Sequence, residues 1–160
     1  GAGGRAWVAM GSGERARVLA TRDFGVSWDV ADVPVVAGSG SGLTTIQVSP
    51  NGNGIALGGV IGDDSVRSRN VAVTADSGET WREGGALSMA GPVYGSAMVP
   101  GADSIVIAVG PRGMDWSTDF GTTWRSVGTL TYWAVGFASG RGGWAVGPDG
   151  RVAKLTIAER

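Results

Sequence analysis

The sequence predicts an all-β protein, a partial β-propeller of about four blades, and three observations predict it. Thirty glycines stand among 160 residues that are 42% hydrophobic, against an average glycine share of about 7%. Many tight turns between short apolar strands give that mixture. An octapeptide recurs: Thr21-Arg-Asp23-Phe-Gly25-Val-Ser27-Trp28, Thr74-Ala-Asp76-Ser-Gly78-Glu-Thr80-Trp81 and Ser117-Thr-Asp119-Phe-Gly121-Thr-Thr123-Trp124. Between the copies no run keeps a helical period of 3.6, while short β-type runs are bounded by Gly, Asn and Pro. About four strands per repeat of some 40 to 50 residues is the pattern of four-stranded antiparallel propeller blades.

The elements follow in order. Arg5–Met10 and Arg15–Thr21 read as the second and third strands of a first blade, whose fourth begins near Ser27. Thr44–Ser49, Ile55–Val60, Asn70–Thr74 and Thr80–Glu83 make a second blade, with a turn at Asn51-Gly-Asn-Gly54. Val93–Val99, Ser104–Val109, Met114–Ser117 and Thr122–Val127 make a third, with turns at Pro100–Asp103 and Pro111–Gly113. Trp133–Ala138, Gly143–Val146 and Arg151–Ile157 supply three strands of a fourth. The expected organisation is one partial propeller over 1–160, with blades at about 1–34, 35–85, 86–128 and 129–160. Two blades are complete, and the first and last are incomplete.

The repeated octapeptide has a physical reading of its own. Its Asp accepts backbone N–H bonds within the turn, its Gly takes positive φ, and its Ser/Thr hydroxyls bond the same loop. Its Trp opens the next strand and packs an indole between blades. The structural set is therefore Thr21, Asp23, Gly25, Ser27 and Trp28, with Thr74, Asp76, Gly78, Thr80, Trp81 and Ser117, Asp119, Gly121, Thr123, Trp124. It holds no nucleophile–base pair and no phosphate cradle.

These octapeptides resemble the Asp-box, or BNR repeat, of sialidases, of other bacterial propellers, and of propellers like the photosystem II stability and assembly factor. Gly143-Trp-Ala-Val-Gly147-Pro-Asp-Gly150-Arg-Val is similar to a segment of the assembly-factor-like group, with weaker copies at Gly54–Gly59 and Ile107–Gly110. The resemblance implies that the box is a structural turn on the outer part of the blade. It also implies a chain that forms the C-terminal part of a longer propeller.

Composition excludes several classes. Thirteen basic against fourteen acidic residues give a net charge of −1, which argues against a nucleic-acid partner. No His and no Cys are present, so disulfides, thiolate nucleophiles, His general bases and the usual zinc ligands are absent. No apolar run approaches the roughly 20 residues that span a bilayer. The Arg-Ile-Pro segment typical of sialidase catalytic domains is missing, and most acidic residues fall in boxes or turns. The expectation is no catalytic residue, no cofactor and no metal; Asp63-Asp64 reads as a solvated loop rather than a calcium site.

Seven tryptophans remain to be placed. Three belong to the octapeptides, and Trp7 and Trp144 occupy matching second-strand positions, expected in the core. Trp116 and Trp133, with Tyr132 beside the latter, lie outside the repeat and are the aromatic candidates for a partner contact. Arg67 and Arg69 are the candidates for an anionic partner. The functional expectation is a non-catalytic, extracytoplasmic scaffold that assembles or stabilises a membrane complex. The resemblance implies, most specifically, an accessory subunit or assembly factor of a photosynthetic reaction centre. Its partners would be subunits of that complex, and missing blades from the same or another chain. The alternative is a glycan-binding or sialidase-like propeller whose active site lies in blades outside this segment.

Overall fold

The computed structural model describes residues 2–157; the ends of the outer blades at Gly1 and 158–160 lie outside the described residues. Fourteen strands form four antiparallel sheets in chain order. The first holds β1 (Ala6–Met10), β2 (Arg17–Thr21) and β3 (Asp29–Asp32). The second holds β4 (Ser41–Val48), β5 (Gly54–Val60), β6 (Val71–Thr74) and β7 (Arg82–Glu83). The third holds β8 (Gly95–Val99), β9 (Ala102–Gly110), β10 (Gly113–Ser117) and β11 (Arg125–Gly128). The fourth holds β12 (Ala134–Phe137), β13 (Gly142–Val146) and β14 (Val152–Thr156). Each sheet is an up-and-down meander, the arrangement of a propeller blade.

The outer strands start later than the sequence suggests. β7 begins at Arg82 rather than Thr80, and β11 at Arg125 rather than Thr122. The reason lies in the turn: the amides of Thr80 and Thr123 donate to Asp76 and Asp119, so these residues are committed to the loop and not to the ladder. The first-blade outer strand shows the same delay, beginning at Asp29 after Trp28.

Three cores lie between successive sheets, and side-chain alternation along the strands assigns their faces. Between sheets one and two are Ala16, Val18, Val33, Val35, Leu43, Ala56 and Ala72. Between sheets two and three, Ile55, Leu57, Val71 and Val73 from one side meet Val106, Ala108 and Trp124 from the other. Between sheets three and four, Ile107, Val109 and Met114 meet Ala145. Alanine and glycine recur on the face turned to the preceding sheet, and large aliphatic residues on the face turned to the next. This small-against-large arrangement lets sheets stack closely.

The second-strand sequences put the four sheets in a common frame. Gly54-Ile55-Ala56-Leu57-Gly58 corresponds to Val106-Ile107-Ala108-Val109-Gly110 and to Gly143-Trp144-Ala145-Val146-Gly147. Cross-strand pairs agree: Leu57↔Val71, Val109↔Met114 and Val146↔Val152. Links between sheets agree as well, since the Val93 amide donates to Gly58 O at 3.0 Å and the Tyr132 amide to Gly110 O at 3.1 Å. One buried carboxyl group interrupts the pattern. Asp115 is fully buried and its Oδ2 accepts from the Ser88 and Met89 amides at 2.5 and 2.9 Å, pinning the linker into the third sheet.

Candidate interaction surface

The Asp-centred hydrogen bonds of the three octapeptide turns repeat. Thr21, Thr74 and Ser117 each donate a hydroxyl proton to the Asp two residues on, at 2.7–2.8 Å, and each accepts the amide of the box glycine. Each Asp also accepts the amide and hydroxyl of Ser27, Thr80 or Thr123. The residue before each glycine and the glycine itself are both left-handed: Phe24 and Gly25 at φ 62° and 88°, Ser77 and Gly78 at 63° and 87°, Phe120 and Gly121 at 55° and 80°. Glycine removes the steric cost at the second of the two.

Hydrogen bonding holds these carboxylates ionised. The Thr80 hydroxyl and amide and the Thr74 hydroxyl keep Asp76 well below the usual carboxylate value of 3.8, at about 2. Asp23 is likewise held at about 2, by the Ser27 hydroxyl and amide and the Thr21 hydroxyl. For Asp119 desolvation raises the pKa, but bonds from Thr123 and Ser117 outweigh it and the net shift is downward. A depressed native pKa stabilises the fold above the unfolded value near 3.8 and loses that contribution as pH falls toward 2, because the unfolded chain then binds more protons. Unfolding midpoints measured from pH 5 to pH 2 should therefore fall with acid, and Asp76→Ala should flatten part of that fall. An unchanged acid slope in the variant would mean that the box carboxylates are not its source.

The second and third boxes each pack on the sheet before them. The Trp7 indole N–H donates to Ser77 O at 2.7 Å across the first interface, and a Cβ on Gly121 would lie 2.4 Å from Ile55 Cδ1 across the second. Trp81 joins the core between sheets one and two, and Trp124, 9% exposed, the core between sheets two and three. Trp28 belongs to the first sheet and is 41% exposed, alongside Val8, Met10 and Val30 on the same outer face.

The opposite end mirrors this. Trp144, Val146 and Val152 are 52%, 41% and 61% exposed, whereas Ile55, Leu57 and Val71, their counterparts in the second sheet, are 0%, 0% and 2% exposed. The expectation of a core position for Trp144 is therefore corrected. It does match Trp7 in the frame, but its face looks away from the third sheet. The protein thus presents two apolar faces, one at each end, built from positions that are core between its own blades.

A third feature lies between sheets three and four. There an apolar cleft of about 830 Å³ is lined by Ile107, Met114, Trp116, Val127, Phe137 and Leu155, with Ile157 at its margin. Of the partner-contact candidates, Trp116 lines this cleft and Trp133 is 54% exposed. Tyr132 is corrected: its ring is buried in the third core, with the Arg151 guanidinium 5.9 Å from the ring centroid. Arg67 and Arg69 are exposed on the β5–β6 loop, away from the cleft, and the Arg67 guanidinium donates to Ser88 O at 2.8 Å. The candidates are not brought together into one patch. On that loop Asp63 accepts the Ser65 amide and hydroxyl, and Asp64 pairs with Arg112 at 3.3 Å. Among the described residues no three His, Cys, Asp or Glu side chains cluster as metal ligands, and no helix is long and apolar enough to cross a membrane.

The end faces and the cleft were legible in part. The Gly-x-Ala-x-Gly copies would have put Trp144 on the Ile55 position, turned to the next blade. Val127 and Leu155 carry no sequence signal, because their exposure depends on which strands the last sheet contains.

No protein-family model and no curated protein matches the sequence. Solved structures do match in fold. The chain superposes on a GH74 enzyme of Niastella koreensis with a TM-score of 0.67 at 15% identity, over 96% of this chain and 27% of that one. An ancestral GH74 enzyme gives 0.61 at 15% identity, over 88% and 21%. YCF48 bound to D1 peptide gives 0.56 at 21% identity, over 94% and 45%. The chain spans less than half the length of each of these structures. The fold is that of a β-propeller, of which this chain forms part.

Proposed function

We propose that the chain is a non-catalytic protein-interaction scaffold, acting outside the cytoplasm to assemble or stabilise a membrane complex. The observation that carries this reading is the pair of apolar end faces: Trp28, Val8, Met10 and Val30 at one end, and Trp144, Val146 and Val152 at the other. Exposed apolar patches of this kind mark interaction surfaces. The likeness in fold to a propeller bound to a peptide supports it. So does the resemblance of the octapeptides and the Gly143–Val152 segment to assembly-factor-like propellers, which points to a photosynthetic reaction centre as the most specific partner. The chemistry is burial of propeller faces against protein, with no bond made or broken.

The protein extracted gently from its source membranes should then run within a larger complex. Trp144→Asp, at a position already half exposed, should leave folding intact and reduce co-purification at least about tenfold, as loss of an aromatic anchor does. A protein that runs alone, with no stable partner, contradicts the scaffold reading.

A second reading is favoured by the two GH74 enzymes among the fold neighbours. In it the chain is part of a glycan-processing propeller whose catalytic carboxylates lie in other blades. Glycan hydrolysis by the intact protein, lost on replacing a carboxylate on its central face, would carry that reading over the first.

A further inference from the structure

Among the described arginines Arg69 alone has a left-handed backbone, at φ 56°. Outside the octapeptides that region is otherwise occupied, glycine aside, only by the short residues Ser12 and Asp149. A long side chain carries the full steric cost there and gains nothing locally in return. The Val36 amide donates to Arg69 O at 2.9 Å and holds the conformation. Strain kept in place under a long charged side chain points to a use for that side chain.

The Arg69 guanidinium is also free. Arg15 and Arg17 share Asp32, Arg67 donates to Ser88 O and Arg112 pairs with Asp64, whereas Arg69 forms no ion pair or side-chain hydrogen bond among the described residues. It lines a pocket of about 370 Å³ between sheets one and two, within the size range of small-molecule sites. Glu14, on the β1–β2 loop, lines the same pocket and is likewise unpaired among the described residues. Two opposite charges thus border one space without meeting. The Asp32 carboxylate is on the wall as well, but Arg15 and Arg17 engage both its oxygens and Arg69 does not reach it. The remaining wall is apolar: Val33, Pro34 and Val35, with Trp81, whose indole N–H is already used on Gly78 O. All of these residues lie in the first two sheets and their connections, apart from the open end faces and the cleft.

We propose that this pocket binds a free amino acid with an apolar side chain. Its α-carboxylate pairs with the planar Arg69 guanidinium, a geometry that takes a carboxylate through two parallel hydrogen bonds. Its α-ammonium pairs with Glu14, and its side chain lies against Trp81, Val33 and Val35. The two unmatched charges carry the assignment. A simple anion would leave Glu14 unanswered, and a residue inside a peptide has neither charge to offer. The site stands apart from the scaffold role, so co-purification with a complex neither supports nor weakens it.

L-Leucine titrated into the full chain is the test, followed by calorimetry and by the NMR signal of the Trp81 indole N–H. Binding should saturate at one ligand per chain with a Kd of about 1 mM or tighter, which so small a ligand sustains at ordinary efficiency, and the indole signal should shift with it. N-acetyl-L-leucine, which lacks the ammonium, and L-leucinamide, which lacks the carboxylate, should each bind at least about tenfold more weakly, because each leaves a charged partner unpaired. Arg69→Gly removes the guanidinium at a φ that suits glycine, so the fold should be kept or strengthened while leucine binding falls at least about tenfold. Glu14→Gln, on an exposed side chain, should weaken binding similarly with the unfolding midpoint unchanged. No saturable binding of leucine would overturn the proposal. Equal binding of N-acetyl-L-leucine would overturn it in favour of a peptide C-terminus, and equal binding of L-leucinamide in favour of an N-terminus. Leucine binding that survives both Arg69→Gly and Glu14→Gln would equally overturn it, by placing the site elsewhere.

Discussion

Trp124→Ala is expected to destabilise the protein by about 3–5 kcal/mol, the range for deleting a buried aromatic ring, while Trp28→Ala costs about 1 kcal/mol or less. The two residues hold the same place in the same octapeptide, so sequence alone gives no reason to separate them. Trp124 is 9% exposed within the core between sheets two and three, against 41% for Trp28. The difference lies in what the preceding sheet supplies, not in the Asp-centred bonds of the turn, because both boxes make the same bonds from Asp to hydroxyl and amide. Trp124→Phe refines the test. The Nε1 of Trp124 has no partner within the protein, so phenylalanine gives up volume but no hydrogen bond and should recover most of the loss. Denaturant midpoints of the three variants, with m-values to confirm a common transition, decide it. Equal costs for Trp124→Ala and Trp28→Ala would show that the indoles act within their own turns and not between blades.

Gly58→Ala carries the other large effect. A Cβ at Gly58 would stand 1.9 Å from Gly42 O, 2.7 Å from Gly42 C and 2.9 Å from Leu43 Cα, all backbone atoms that no rotamer change can move aside. The crowding follows from a bulge in β4: Leu43 pairs with Gly58 and Thr45 with Leu57, which leaves Thr44 as the extra residue. Thr44 uses its hydroxyl to donate to Val93 O at 2.5 Å, tying the second sheet to the third. Three chain segments converge at this point, since the Gly58 amide donates to Asn70 O and its carbonyl accepts the Val93 amide. Relief would require parting β4 from β5. The expected cost is about 4 kcal/mol or more, a magnitude reserved for a named steric mechanism. Gly136→Ala is the control, because a Cβ there meets nothing within 4 Å and its φ is not left-handed; it should change stability by no more than about 0.5 kcal/mol. A tolerated Gly58→Ala would mean that the bulge does not hold the two strands at this spacing.

The sequence made the architecture legible because the octapeptide is local: Asp, Gly and hydroxyl residues within five positions satisfy one another, and their spacing counts the blades. The partial first and last blades could be read from strands placed before the first box and after the last. Strands after each box start two or three residues later than residue type suggests, because the hydrogen bonds that hold Thr80 and Thr123 in the turn leave no mark on residue type. The burial of Asp115 leaves no mark in the sequence. A carboxylate between Met114 and Trp116 looks like an exposed alternate position, and its burial depends on Ser88 and Met89, which lie far away in sequence. Trp144 reads as a core residue for a related reason. Its repeat position is a core position wherever another blade follows, and periodicity names the position but not the neighbour. Tyr132 reads as a surface contact because it stands beside Trp133, which departs from the repeat. The link from its amide to Gly110 O instead draws it under the third sheet.

The central claim is that Trp28 and Trp144 mark inter-blade faces and are covered when the protein is in its working assembly. Hydroxyl-radical footprinting of the protein tests it most directly, in the complex proposed for it and again as the separated chain. The account predicts that oxidation at Trp28 and Trp144 drops several-fold in the complex, while Phe24, 86% exposed on the tip of its turn, is modified equally in both. Equal oxidation of Trp28 and Trp144 in the two states would contradict it.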